Sequence, residues 1–210
     1  MLAAAQALPA SVLQRQTDER TGRGDESLHC ALGDIPRGAL TEIAGPASSG
    51  RTAFLYALLA AASANQEFCA LIDAEDTFDP ASAAAAGVPL SQVLWVRCGG
   101  NVEHAFKAMD LLSQAGGFGL VAIDLGGTPP KIARRIPPSA WFRLRHGVEN
   151  TRTALVSIAQ EFNAHSCSAL KIELRRDRVL WRRRLLEGLA ITVRSIKNHG
   201  EQQTSAIIGR

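Results

Sequence analysis

From residue 40 onward, short strand-like apolar runs alternate with segments whose apolar residues recur every three or four positions. The runs Leu40–Ala44, Phe68–Asp73, Gln92–Arg97, Leu120–Asp124 and Ala154–Ala159 are mostly apolar without a strict two-residue alternation, the pattern of strands buried on both faces. Between them lie helical patterns at Ala53–Leu59, near 79–86, at 101–115 and at 139–150. In the segment 101–115, Val102, Ala105, Phe106, Met109 and Leu112 fall on one stripe. This alternation predicts an α/β domain, a mainly parallel sheet with helices on both faces. The pattern changes near the end. Ala169–Arg175 alternates strictly between apolar and polar, and Leu189–Ile196 nearly does, which predicts antiparallel strands appended to the parallel sheet. Residues 1–27 read as an arm and linker, and 28–210 as one core domain.

A chain of 210 residues suffices for one such domain with a large core. Its net charge of +3 conceals an asymmetry: residues 1–130 carry 7 Lys and Arg against 14 Asp and Glu, and residues 131–210 carry 16 against 6. The basic part is concentrated in Arg175, Arg176 and Arg178 and in Arg182, Arg183 and Arg184. Such a surface fits single-stranded DNA, a second copy of the chain, or an acidic partner, and it also fits a solvated hairpin. Trp141, Phe142 and Trp181 are candidates for base stacking, although packing of Trp141 and Phe142 against the sheet is the simpler expectation. Cys30, Cys69, Cys98 and Cys167 lack the spacing of a metal site and read as thiols in a reducing cytoplasm. The start has no basic region before an apolar one, and no stretch reaches the length of a membrane span, so neither export nor insertion is expected.

The chemistry is concentrated between the first run and the first helix. Gly45-Pro46-Ala47-Ser48-Ser49-Gly50-Arg51-Thr52 has the G-x-x-x-x-G-[K/R]-[S/T] pattern of a phosphate-binding loop, set between a strand and a helix as that motif requires. Glycines let backbone N–H groups turn toward a polyphosphate, and Thr52 can offer its hydroxyl to magnesium. Arg51 stands where lysine is usual. A guanidinium is longer, planar and forked, so it can bind a phosphate without placing it for transfer. Three further polar residues close apolar runs. Glu75 can orient or deprotonate a water, Asp124 has the setting of a carboxylate in a magnesium shell, and Gln160 can sense a terminal phosphate.

Taken together, these residues resemble the bacterial RecA recombinase core over nearly all of 28–199. The resemblance is carried by Leu28–Gly33, Gly45–Gly50, Ile72–Glu75 with Asp79-Pro80, and Ala169–Lys171 through Ile196–Asn198. It implies ATP and Mg2+ as ligands, with Gly45 to Thr52 and Asp124 around them. It further implies Glu75 as the catalytic glutamate and Gln160 as the glutamine that links nucleotide state to DNA. Lys197 would reach ATP on an adjacent subunit.

The departures from that family are specific. Arg51 replaces the loop lysine, and His199 replaces the second lysine of Lys-Asn-Lys. Leu125–Pro138 and Glu161–Ser168 are short where recombinases carry their DNA-binding loops, and the chain ends soon after Asn198. A core trimmed in this way resembles the ImuA-like group, RecA-related accessory proteins of translesion synthesis that work beside an ImuB-type polymerase homologue. There, too, Ile136–Trp141 and an arginine-rich helix stand in the place of the first loop. Two expectations follow: an accessory protein of DNA-damage tolerance with weak or absent ATP hydrolysis, bound to such a polymerase homologue or to RecA, or a DNA-stimulated ATPase of homologous recombination.

Overall fold

The computed structural model describes residues 27–182, 185–197 and 200–209. The expected arm therefore lies outside the described residues except for Ser27, as do Arg183, Arg184 and His199. The described elements run β1 (Ser27–Cys30), β2 (Gly33–Pro36), β3 (Ala39–Ala44), α1 (Arg51–Ala64), β4 (Phe68–Asp73), α2 (Pro80–Ala85) and β5 (Val93–Arg97). They continue with α3 (Val102–Ala115), β6 (Phe118–Asp124), α4 (Pro130–Ala133), α5 (Pro138–Val148), β7 (Ala154–Ala159), β8 (Leu170–Arg182), β9 (Leu185–Lys197) and β10 (Gly200–Gly209).

The main sheet has the order β10-β9-β8-β3-β7-β6-β4-β5. All pairings from β8 through β3, β7, β6 and β4 to β5 are parallel, and β8, β9 and β10 pair antiparallel. This is the mainly parallel sheet with an antiparallel extension that the apolar runs predict. Successive strand residues face opposite layers. Ile43, Leu71, Ala122 and Val156 pack under α1 with Phe54, Leu55, Leu58 and Leu59, and the β1–β2 hairpin adds Leu28 and Ile35 to that layer. Leu40, Ile72, Val121, Ile123 and Leu155 meet α3 and α5 through Phe106, Met109, Trp141 and Leu144. Because each of these strands is covered on both sides, its sequence has no polar alternation.

Helix starts follow local chemistry. Asp79 caps α2 by accepting from the amides of Ala81 and Ser82, with Pro80 in its first turn, and Asn101 caps α3 by accepting from the His104 amide. On α3, Ala105, Phe106 and Met109 are buried, and Val102 and Leu112 pack against the same layer. Trp141 is fully buried and meets the Phe106 ring edge-on at 4.8 Å between centroids. Phe142 is 44% exposed and Trp181 63% exposed, so the expected packing holds for Trp141 and not for Phe142. None of the described helices is long and apolar enough to cross a membrane.

Three elements go beyond the pattern. The β1–β2 hairpin buries only Leu28 and Ile35, too few apolar residues to make a periodic signal. Strand β8 continues past Arg175 to Arg182, because pairing with β9 carries the arginine-rich segment out as a ladder. Strand β10 is polar from Gly200 to Ser205, and β9 specifies it through backbone pairing along its whole length.

Candidate functional site

Parallel strands bring their carboxyl ends to one edge of the sheet, the usual place for a ligand in an open α/β sheet. Register makes this concrete. Asp73 is level with Asp124, Asp124 with Ile158, and Ala159 with Ala44. The loop 45–50 leaves β3 there and enters α1. Its shape requires its glycines. A Cβ on Gly45 would lie 2.5 Å from both the Leu174 carbonyl oxygen and Ser49 Oγ, and Gly50 has φ +97°. Ser48 also takes a positive φ of 59°. Pro46, Ala47, Ser48 and Thr52 are exposed. Gly50 caps α1 without a side-chain hydrogen bond, so the first-turn N–H groups of a 14-residue helix face the loop's open side.

Arg51 does not extend from this loop into solvent. Its Nη2 donates to the Gly126 carbonyl oxygen at 3.3 Å, while Nη1 is buried and makes no hydrogen bond within the described residues. Burial depresses the Arg51 pKa, and the charge of Asp124 opposes that effect. Asp124 accepts from the Gly126 amide at 2.7 Å. Its carboxyl is nonetheless pushed above the usual carboxylate range, first by burial and then by Asp73, with the Gly126 amide and Arg51 pulling the other way.

Glu75 accepts at Oε1 from the Thr128 hydroxyl at 2.9 Å. Gln160 donates from Nε2 to the carbonyl oxygens of Gly126 and Thr128, both at 3.3 Å. Arg51, Glu75, Asp124 and Gln160 therefore all touch one segment, Leu125–Thr128. Close approach dictates its two glycines: a Cβ on Gly126 would lie 2.9 Å from Asp124 Oδ1, and one on Gly127 would lie 3.0 Å from Glu75 Cγ.

Two further carboxylates hold the site from below. Asp73 is fully buried and accepts from the amides of Thr77 and Phe78 and from Trp95 Nε1, which fixes the turn after Glu75. Glu42, 3% exposed on β3, accepts from the amides of Asn163 and Ala164 at 2.6 and 2.7 Å and from the Ser168 hydroxyl at 2.9 Å. It ties down the connection after Gln160. Sequence reasoning passed over Glu42 because a lone acid within an apolar strand carries no motif, although its placement in such a run signals a burial that must be compensated.

Lys197 is not brought to this cluster. It is level with Leu170 and thus with Thr41, three positions before the loop-bearing end of β3, and its side chain is not among those described. Arg175, Arg176 and Arg178 are exposed on β8, and Asp177 accepts from the Thr192 hydroxyl. The side chain of Arg182 is not described.

The residues at the loop fit a phosphate. The buried Nη1 of Arg51 is a cationic donor without an acceptor, Ser49 Oγ is likewise buried without one, and a Cβ at Gly45 would fill the turn. Thr52 and Asp124 would flank the magnesium of a bound nucleotide, which supplies positive charge against the phosphate oxygens.

Neutralising Asp124 is expected to stabilise the nucleotide-free protein. Its folded-state pKa is raised, so the ionised form costs stability above that value, and the cost disappears as pH falls through it toward the unfolded value of about 3.9. Asp124→Asn should raise Tm at pH 7 by a few degrees, at about 2–4 °C per kcal/mol in a domain of this size. The gain should shrink toward pH 4. Thermal unfolding across that range measures it, and a Tm lowered at pH 7 would contradict the burial cost.

A mainly parallel α/β sheet with a glycine-rich strand–loop–helix and four polar side chains at its carboxyl edge defines a P-loop-type domain. Within that class, residues 12–131 match the RecA N-terminal domain, and the chain belongs to that family. Over 154 residues, 67% of this chain, it is 34% identical to the protein RecA of Deinococcus radiodurans, covering 42% of that protein. It is 28% identical to the protein RecA of Ectopseudomonas oleovorans over 67% of this chain and 44% of that protein. The chain thus spans less than half the length of these curated relatives.

Proposed function

We propose that this chain is a RecA-type ATP-binding protein of DNA repair and damage tolerance, acting as an accessory with little hydrolysis of its own. Gly45 to Thr52 would hold the polyphosphate, with Thr52 and Asp124 at its magnesium, Glu75 at the attacking water and Gln160 reading the terminal phosphate. In this reading the protein works in the cytoplasm, in an SOS-type response and translesion synthesis. Its partner is an ImuB-type polymerase homologue or RecA. Lys197 would serve a neighbouring copy, and the Arg175 to Arg184 segment would meet single-stranded DNA through salt-sensitive phosphate contacts.

The observation that carries weak turnover is Arg51. Its fork is engaged with the Gly126 carbonyl beside Asp124, whereas the lysine usual at this position brings a compact charge on a flexible stem that is free to follow the phosphate. A different observation favours the alternative, a DNA-stimulated ATPase of homologous recombination: Thr128 already orients Glu75 against the 125–128 segment that Arg51 also contacts.

Turnover of Mg-ATP by the purified protein, with and without single-stranded DNA, separates the two readings, with Glu75→Gln as the control for contaminating ATPase. The accessory reading expects ATP binding by calorimetry and no turnover above that control. Turnover that DNA stimulates and Glu75→Gln abolishes would replace it with the alternative.

A further inference from the structure

We infer that Arg51 is a latch, which holds Leu125–Thr128 in the nucleotide-free protein and releases that segment when phosphate takes over its guanidinium. This deepens the proposed function and rests on nucleotide binding at Gly45 to Thr52. The Gly126 carbonyl oxygen accepts from both Arg51 Nη2 and Gln160 Nε2, each at 3.3 Å. These are long bonds to one acceptor, the kind that a stronger acceptor displaces. Arg51 still has a buried donor to offer, since its Nη1 has no hydrogen bond within the described residues. A phosphate in the loop would satisfy that donor and draw the fork away from Gly126, a charge-assisted pairing that outweighs one bond to a neutral carbonyl.

The far side of the segment is what makes the release consequential. Thr128 donates to Glu75 and accepts from Gln160, and it leads through Pro129 into α4, where the amides of Ile132 and Ala133 donate back to the Pro129 carbonyl. Movement at Gly126 would therefore reach the orientation of Glu75, the partner of Gln160 and the start of α4 together. A lysine at position 51 has a single charged tip and cannot hold Gly126 with one nitrogen while offering a second in a fixed fork. The substitution that weakens transfer would thus give the loop a way to report occupancy.

Hydrogen exchange followed by mass spectrometry on the full chain tests this, with Mg-ATP binding measured on the same preparations by calorimetry. Saturating Mg-ATP is expected to speed exchange at Gly126 to Thr128 roughly tenfold to a hundredfold, the effect of removing one hydrogen bond to a charged group. In Arg51→Lys, exchange there should already be faster by a similar factor without nucleotide, and Mg-ATP should add little. Nucleotide that binds without changing these amides, or an Arg51→Lys protein with unchanged exchange when nucleotide-free, overturns the latch and leaves the proposed function standing. Absence of Mg-ATP binding overturns nucleotide-driven release together with the proposed function. In that case faster exchange in Arg51→Lys would support only the static tie to Gly126.

Discussion

Glu42→Ala is expected to destabilise the domain by about 3–5 kcal/mol, the cost of leaving two buried amides and a hydroxyl without their shared acceptor. For a domain of this size that is a fall in Tm of about 6–20 °C. The three donors, from Asn163, Ala164 and Ser168, all belong to the connection between β7 and β8. The loss should therefore appear locally before it appears globally, as faster hydrogen exchange at 161–168 below the melting transition. Glu42→Gln keeps an acceptor oxygen for the two amides, and the Ser168 hydroxyl can accept from the new amide group. That variant should recover most of the loss. A Glu42→Ala protein within about 1 kcal/mol of the parent would mean that this connection is held by other contacts. The functional consequence runs through Gln160, which begins that connection and loses its footing when the connection is freed.

Arg51→Lys is expected to raise ATP turnover by about tenfold or more, equivalent to about 1.4 kcal/mol of transition-state stabilisation. The lysine gives up the bond to Gly126 and supplies a mobile ammonium, and because bound phosphate would free the 125–128 segment in the parent as well, Glu75, Asp124 and Gln160 would meet the nucleotide in the same released arrangement in both proteins. Adding Glu75→Gln to Arg51→Lys should remove the gain, which assigns it to this site. Steady-state turnover beside calorimetric binding makes the measurement. If Arg51→Lys binds Mg-ATP as the parent does and still fails to turn it over, Arg51 is not the sole defect. His199, in place of a second lysine, or the need for a neighbouring copy then becomes the better explanation.

Much of the site was legible along the chain because motif chemistry is local. A glycine-rich turn between a strand and a helix, and polar residues closing apolar strands, can be recognised at Gly45 to Thr52, Asp124 and Gln160 without tertiary information. Glu42 and Thr128 were not legible. One is a buried acid and the other a loop hydroxyl, and each matters through partners far away in sequence: Glu42 through 163, 164 and 168, and Thr128 through Glu75 and Gln160. The extension of β8 past Arg175 and strand β10 escaped for a related reason. Their strands are specified by backbone pairing with a neighbour, which imposes little on the residue types of an exposed ladder.

The sequence by itself determined the α/β class, the mainly parallel character of the buried strands and the glycine-rich turn with arginine in it, because burial on two faces and close backbone turns restrict which residues can stand at each position. Tertiary structure alone decided what Arg51 touches. The guanidinium's partner is a backbone carbonyl 75 residues away, and a carbonyl is the same group in every residue, so no side-chain pattern could have announced it.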